Sequence, residues 1–186
     1  YLPKALSPVT RAGLGVVHVT LHQSLRSAID SLSVEAITEK CHLAHNAAVA
    51  CGVEVPQIGV AALNPHGGEG GLFGDEEQRL IAPAVQAARD AGVDASGPHP
   101  VDTLMVRAVA GEFDAVVAMY HDQGHIALKL LGMHGAVNIT LGLPIVRTSV
   151  AHGTAPDKAW KGVAETSGLI AAIESATALA NGRQAD

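Results

Sequence analysis

The chain has 186 residues, enough for one domain with a substantial core. Apolar residues make up 48%, charged residues 16% and aromatics 3%, which is the composition of an Ala/Val/Leu/Gly-rich folded chain and not of a disordered one. A formal net charge of −6 without a basic stripe argues against nucleic-acid or anionic-membrane binding, and no apolar run reaches membrane-spanning length.

The opening "YLPKALSPVTRAG" starts without methionine and reads as a linker or frayed edge over residues 1–12. The expectation is therefore a piece of a longer chain, with residues 13–186 as a single α/β domain. "GLGVVHVTL" (13–21) is short, β-branched and nearly uninterrupted, as a buried strand is. Ser24 is placed to cap a short helix, and Ser33 a longer one through "VEAITEKCHLAHNAAVACG", stopped by Gly52. Cys41 and Cys51 fall in that stretch without C-x-x-C spacing, which fits reduced thiols of a cytoplasmic protein.

"PQIGVAAL" (56–63) is a second buried strand, running into the glycine-rich loop "NPHGGEGGLFG" (64–74). Asp75 followed by Gln78 resembles a capping box, and Pro83 should kink or divide the helix that follows. "SGPHPVDT" reads as a loop, "LMVRAVAG" as a short helix and "FDAVVAMY" (113–120) as a third buried strand. "GAVNITLG" and "PIVRTSVA" are extended, and a last helix runs from about Ser167 to Asn181. Strands alternating with helices predict an α/β fold, a mostly parallel sheet flanked by helices. Ligands of such sheets lie beyond the carboxyl ends of the strands.

The chain holds ten histidines, and three of them, His22, His66 and His121, each follow a predicted buried strand. If they converge, three imidazoles, or two plus a carboxylate, suit a divalent first-row metal that keeps open positions, and its charge favours a small anionic substrate. Local pairs compete: His121 with His125 at spacing four, His42 with His45 at three, and His18 with His22 along one strand. His18 is expected to be a hydrogen-bonded core histidine. Asp102 and Asp122 lie near these loops and can ligate, orient a histidine or cap a helix.

Lys129 stands in an otherwise apolar stretch, where it can snorkel, reach an anion or act as an acid. Asn138 and Arg147 interrupt β-branched strands, and a guanidinium there usually meets a carboxylate or phosphate. The glycine-rich loop is neither G-x-G-x-x-G nor a P-loop. "AHGTAPD" (151–157) has small residues that admit a flat heterocycle, or that form a turn.

At "LNPHGGEGG", "MYHDQGHIALK", "VNITLGLPIVRTS" and "HGTAPD" the chain resembles the 4-hydroxythreonine-4-phosphate dehydrogenase family, the PdxA-type enzymes of vitamin B6 synthesis. The resemblance runs from about Gly13 to Gly182, with the four motifs in register. It implies an isocitrate/isopropylmalate dehydrogenase-like fold, a homodimer, and oxidation with decarboxylation using NAD and a divalent metal such as Zn, Mg, Mn or Co.

By resemblance the metal ligands are His22, His66 and His121, completed across the dimer interface. Lys129, Asn138 and Arg147 match substrate-binding positions, while Lys129, Asp102 and Asp122 form the candidate catalytic set. The loop His152, Gly153, Thr154 and Ala155 matches the adenine side of NAD.

Family members are longer, and their N-terminal part supplies a His-Thr pair and much of the nucleotide-binding domain. "VVHVTLHQSLRSAIDSLS" and "GHIALKLLG" look closer to paralogues acting on phospho-threonate, phospho-erythronate or a terephthalate cis-dihydrodiol. "NITLGLPIVRTS" favours an acyclic phosphorylated hydroxy acid. Readings of another class are a truncated, non-catalytic, metal-binding dimerising domain, and a structural metal held locally by His121 and His125.

Overall fold

The computed structural model describes residues 2–3, 13–132 and 135–182. Its main sheet contains β1 (Leu2–Pro3), β2 (Gly13–His18), β3 (Ile58–Ala61), β4 (Ala95–His99) and β5 (Ala115–Ala118), in the order β1-β2-β5-β3-β4. β2, β5, β3 and β4 run parallel, and only β1 is antiparallel to its neighbour. Within the segment expected as a linker, Leu2 and Pro3 pair with Leu14 and Gly13. The remainder of that segment lies outside the described residues.

The two central strands, IGVA and AVVA, are buried at every position because helices cover both faces. On one face α2 (Val34–Ala50) and α3 (Ala82–Asp90) set Ile37, Cys41, Ala44, Ala84 and Ala88 against Ile58, Val60 and Val117. On the other, α4 (Val101–Val109) sets Leu104, Met105 and Ala108 against Ala61 and Val116. Each large aliphatic buried in this way contributes roughly 1.5–3 kcal/mol. Gly59 allows α4 its approach, since a Cβ there would lie 2.8 Å from Leu104 Cδ1 and 3.1 Å from Phe113.

Ser24 caps α1 (Leu25–Asp30) by accepting from Ser27 N–H, and Ser33 caps α2 by accepting from Ala36 N–H. Gly52, at φ 91, follows the end of α2 as expected. The predicted capping box is absent. Asp75 instead accepts Gln78 and Arg79 N–H on its carbonyl and Arg79 Nε, at 3.4 Å, on its carboxylate. The division at Pro83 takes the form of a π turn over Glu77–Ile81 that hands on to α3.

One expected loop is a strand. Ala95–His99 pairs with β3 on one side only, an edge position where Pro98 removes a donor that the ladder can spare. After α5 (His121–Gly132), β6 (Val137–Thr140) and β7 (Arg147–Val150) form a separate antiparallel pair. α6 (Ser167–Gly182) covers that pair, burying Ala171 and Ala172 against Val137, and Thr148 Oγ1 donates to Ala172 carbonyl at 2.8 Å. Among the described residues no helix is long and apolar enough to cross a membrane.

Candidate active site

Because β2 and β5 are parallel neighbours, their carboxyl ends stop side by side. Thr20 donates both its N–H and its hydroxyl to Met119 carbonyl, at 3.2 and 2.8 Å, and so holds the two exit loops together. Between them opens a cleft of about 490 Å³, lined by Leu21, His22, Gln23, Tyr120, His121 and Asp122 among others. The His22 and His121 rings stand 5.6 Å apart across it. His121 Nδ1 lies 2.6 Å from Asp122 Oδ1, which leaves Nε2 as the lone pair of a neutral ring.

Two more imidazoles stand behind this pair. His125, one turn along α5, is 4.2 Å from His121 and 4.4 Å from His18 between ring centroids. Burial, with His125 and His121 nearby, pushes the His18 pKa down to about 3. His125 is lowered by burial, then by His121 and Lys129. His18 departs from the expected satisfied core histidine: its ring hydrogen-bonds the His121 backbone, but Nε2 is buried with no partner among the described residues. The orphan nitrogen faces Gly124, where a Cβ would lie 2.5 Å away.

His66 does not join this group within the chain. Residues 66–70 all take positive φ, so the glycine-rich stretch winds as a left-handed turn. Glycine accepts that backbone freely, whereas His66 (φ 53) and Glu69 (φ 43) each bear a cost of about 1–2 kcal/mol. The turn directs the His66 ring to Phe73, 6.1 Å away, and to Glu69 Oε2, 3.6 Å from Nδ1. Among the described residues no three or more His, Cys, Asp or Glu gather as a metal-holding group. The donor chemistry thus fits a divalent ion at the His22–His121 pair, and the third donor is not in place in the chain by itself.

The turn has a buried anchor. Glu77, 4% exposed, accepts Leu63 and Asn64 N–H on Oε1 at 2.8 and 2.7 Å, and Asn64 Nδ2 on Oε2 at 3.0 Å. Burial alone would raise its pKa, but these donors, with its own backbone N–H, hold the carboxyl below the usual value.

The other expected residues spread along the same chain segment. Asp102 sits exposed in the first turn of α4 and accepts Thr103 N–H at 2.8 Å. Lys129 is exposed on α5 and acts electrostatically on His125. Asn138 pairs with Ser149 and Thr140 with Arg147 in the β6–β7 ladder, so Asn138 and Arg147 share one face of it. Arg147 Nη1 donates to Thr140 Oγ1 at 2.9 Å. In the exposed 152–155 loop, His152 Nδ1 donates to Gly153 carbonyl at 2.9 Å, Ala155 takes φ 43, and Gly153 and Thr154 lie exposed between them.

Residues 4–176 match the sequence model of the family described as "Pyridoxal phosphate biosynthetic protein PdxA". The chain belongs to the PdxA family. It is 55% identical over 163 residues to a 4-hydroxythreonine-4-phosphate dehydrogenase of Beijerinckia indica subsp. indica, covering 88% of this chain and 48% of that protein. It is 49% identical over 167 residues to the D-threonate 4-phosphate dehydrogenase of Salmonella typhimurium, covering 90% of this chain and 51% of the relative. The crystal structure of a 4-hydroxythreonine-4-phosphate dehydrogenase from Klebsiella pneumoniae superposes with a TM-score of 0.80 at 50% identity, over 89% of this chain and 50% of that one. The chain therefore spans about half the length of the PdxA relatives it matches.

Three residues of this PdxA-family chain escaped the sequence reading: Glu77, Gln123 and Gly124. Glu77 sits in the acidic run "DEEQ", which reads as a solvated helix start. The signal that distinguishes it is its position three residues after a five-glycine loop, where the N–H groups of Leu63 and Asn64 at the loop's start need an acceptor.

Proposed function

We propose that the chain is the metal- and substrate-binding part of an NAD-dependent dehydrogenase that oxidises, and then decarboxylates, an acyclic phosphorylated hydroxy acid. The observation that carries this reading is the His22–His121 pair facing across a cleft at the carboxyl ends of β2 and β5, with Asp122 on His121. His22 and His121 would hold a divalent ion there, with His66 as the third donor once the homodimer assembles. Such an ion would lower the pKa of the substrate hydroxyl, and NAD would supply the hydride acceptor for the carbon that bears it.

The remaining roles belong to the chain's own side chains. Arg147 and Asn138, on one face of the β6–β7 ladder, take the phosphate and the polar groups beside it. Lys129 returns a proton to the carbon that loses carbon dioxide. Asp122 holds His121 in the tautomer that leaves Nε2 free. Asp102 is a proton acceptor at the start of α4, and the loop of His152, Gly153, Thr154 and Ala155 receives the adenine side of NAD. Relatives named for 4-hydroxythreonine 4-phosphate and for D-threonate 4-phosphate make these two compounds the substrates to assay.

The test is metal content by elemental analysis for the wild type and for His22→Ala, His66→Ala and His125→Ala, with NADH formation followed on both compounds. Near-stoichiometric metal that is lost in His22→Ala and His66→Ala supports the site. Metal lost in His125→Ala but kept in His66→Ala sinks it in favour of a local His121–His125 site. Metal binding without turnover would favour the non-catalytic reading.

A further inference from the structure

We propose that Glu77 is a positioning residue, whose buried carboxylate locks the left-handed turn over Pro65–Gly71 and so aims the His66 ring. The carboxylate grips the turn on both sides of that histidine. Upstream it takes Leu63 N–H, Asn64 N–H and Asn64 Nδ2. Downstream it lies against Gly68, where a Cβ would come 2.6 Å from Glu77 Oε2. His66 is midway between Asn64 and Gly68, in a backbone conformation that histidine rarely adopts unless its surroundings impose it.

The arrangement is directional as well as tight. Asn64 Nδ2 donates to Glu76 Oε2 at 2.7 Å and to Glu77 Oε2 at 3.0 Å, so the amide cannot turn over without setting its oxygen against two carboxylates. Gly74, at φ 136, closes the same knot, since a Cβ there would lie 2.6 Å from both Asn64 Nδ2 and Glu76 Oε2. Every donor about Glu77 is thus already committed to a carboxylate. A neutral amide in its place must point an NH2 at another NH2.

Two variants of the full chain test this, read by the imidazole resonances of His66, His22 and His121. In Glu77→Gln the opposed amides break the lock, and the His66 resonances are expected to shift while those of His22 and His121 stay in place. In Glu76→Gln/Glu77→Gln, Asn64 is free to turn over and accept from both new amides, and the His66 resonances are expected to return. Should Glu77→Gln fold poorly, the double variant, whose three side-chain amides can pair again, keeps the test open.

Unmoved His66 resonances in Glu77→Gln would overturn the inference, as would His66 resonances that stay displaced in Glu76→Gln/Glu77→Gln, or equal shifts at all three histidines. That His66 serves a metal rests on the proposed function above, and zinc titration separates the two ideas. A fall in zinc affinity of about tenfold in Glu77→Gln supports both. A His66 shift with unchanged zinc affinity keeps Glu77 as the positioning residue and removes His66 from the ligand set.

Discussion

Gln123 Nε2 donates to Ala62 carbonyl at 2.7 Å, joining the first turn of α5 to the exit of β3. The same side chain accepts Met119 N–H on Oε1 at 2.7 Å, so one buried amide holds the ends of β3 and β5 together beneath the histidine cleft. Gln123→Leu would leave a buried N–H and a buried carbonyl without partners, at about 1–3 kcal/mol each. The expected loss is roughly 2–6 kcal/mol in urea denaturation. A variant within about 0.5 kcal/mol of wild type would show that the two strand ends hold without it.

Gly124 is the next residue, and there the sign of a substitution is informative. In an open helix, Gly→Ala stabilises by about 0.8–1.0 kcal/mol. Here the added Cβ would lie 2.5 Å from His18 Nε2 and 2.6 Å from Val16 Cγ1, so either these side chains or α5 must give way. We expect Gly124→Ala to destabilise by about 1–3 kcal/mol and to shift the His121 and His125 resonances. A raised melting temperature would mean that the helix sits further from the sheet than described.

The pH dependence of stability follows from His18. Its folded pKa is depressed from 6.5 to about 3, so between those values the unfolded chain takes up a proton that the folded chain refuses. The sign is therefore a loss of stability as pH falls from about 6.5, at up to about 1.4 kcal/mol per pH unit for one proton. His125 and His99, also lowered, add to the slope in the same direction. Glu77, whose pKa lies below 4.5, contributes only once the pH drops beneath that value. Metal-free His18→Gln should show a shallower fall than wild type between pH 6.5 and 4.5 in urea midpoints. Parallel curves would place the orphan nitrogen in water.

What could be foreseen from the sequence follows from how local each cause is. Ser24 and Ser33 were legible as caps because capping needs only the next three residues. β3 and β5 were legible because burial on both faces demands an unbroken apolar run. β4 was not, since an edge strand of Ala, Ser, Gly, Pro and His has the composition of a loop and owes its form to β3 beside it. The same contrast holds in the site. His22 and His121 follow two strands that turn out to be neighbours, so equivalent positions became adjacent ones. His66 follows a third strand by the same rule, yet a run of positive φ carries its ring to Phe73 and Glu69. The carboxylate that grips that turn, Glu77, stands three residues beyond Gly74 and outside the glycine pattern itself.

Asp122 separates two contributions to the His22–His121 pair, orientation and charge. Its Oδ1 lies 2.6 Å from His121 Nδ1 in the first turn of α5, where a carboxylate also favours the helix dipole. Asp122→Asn keeps an oxygen that can accept from Nδ1–H, so the tautomer with Nε2 free survives while the charge is lost. Asp122→Ala removes both. If the pair binds a divalent ion as proposed, zinc affinity should fall in both variants and further in Asp122→Ala, by about 10–100-fold. The dipole stabilisation, about 0.3–1 kcal/mol, is lost in both variants, so the difference between their zinc affinities reports the hydrogen bond to His121. Equal zinc affinities for wild type and Asp122→Ala would mean that His121 Nε2 is not a ligand. The metal, if bound, would then have to sit among the other imidazoles of the cluster.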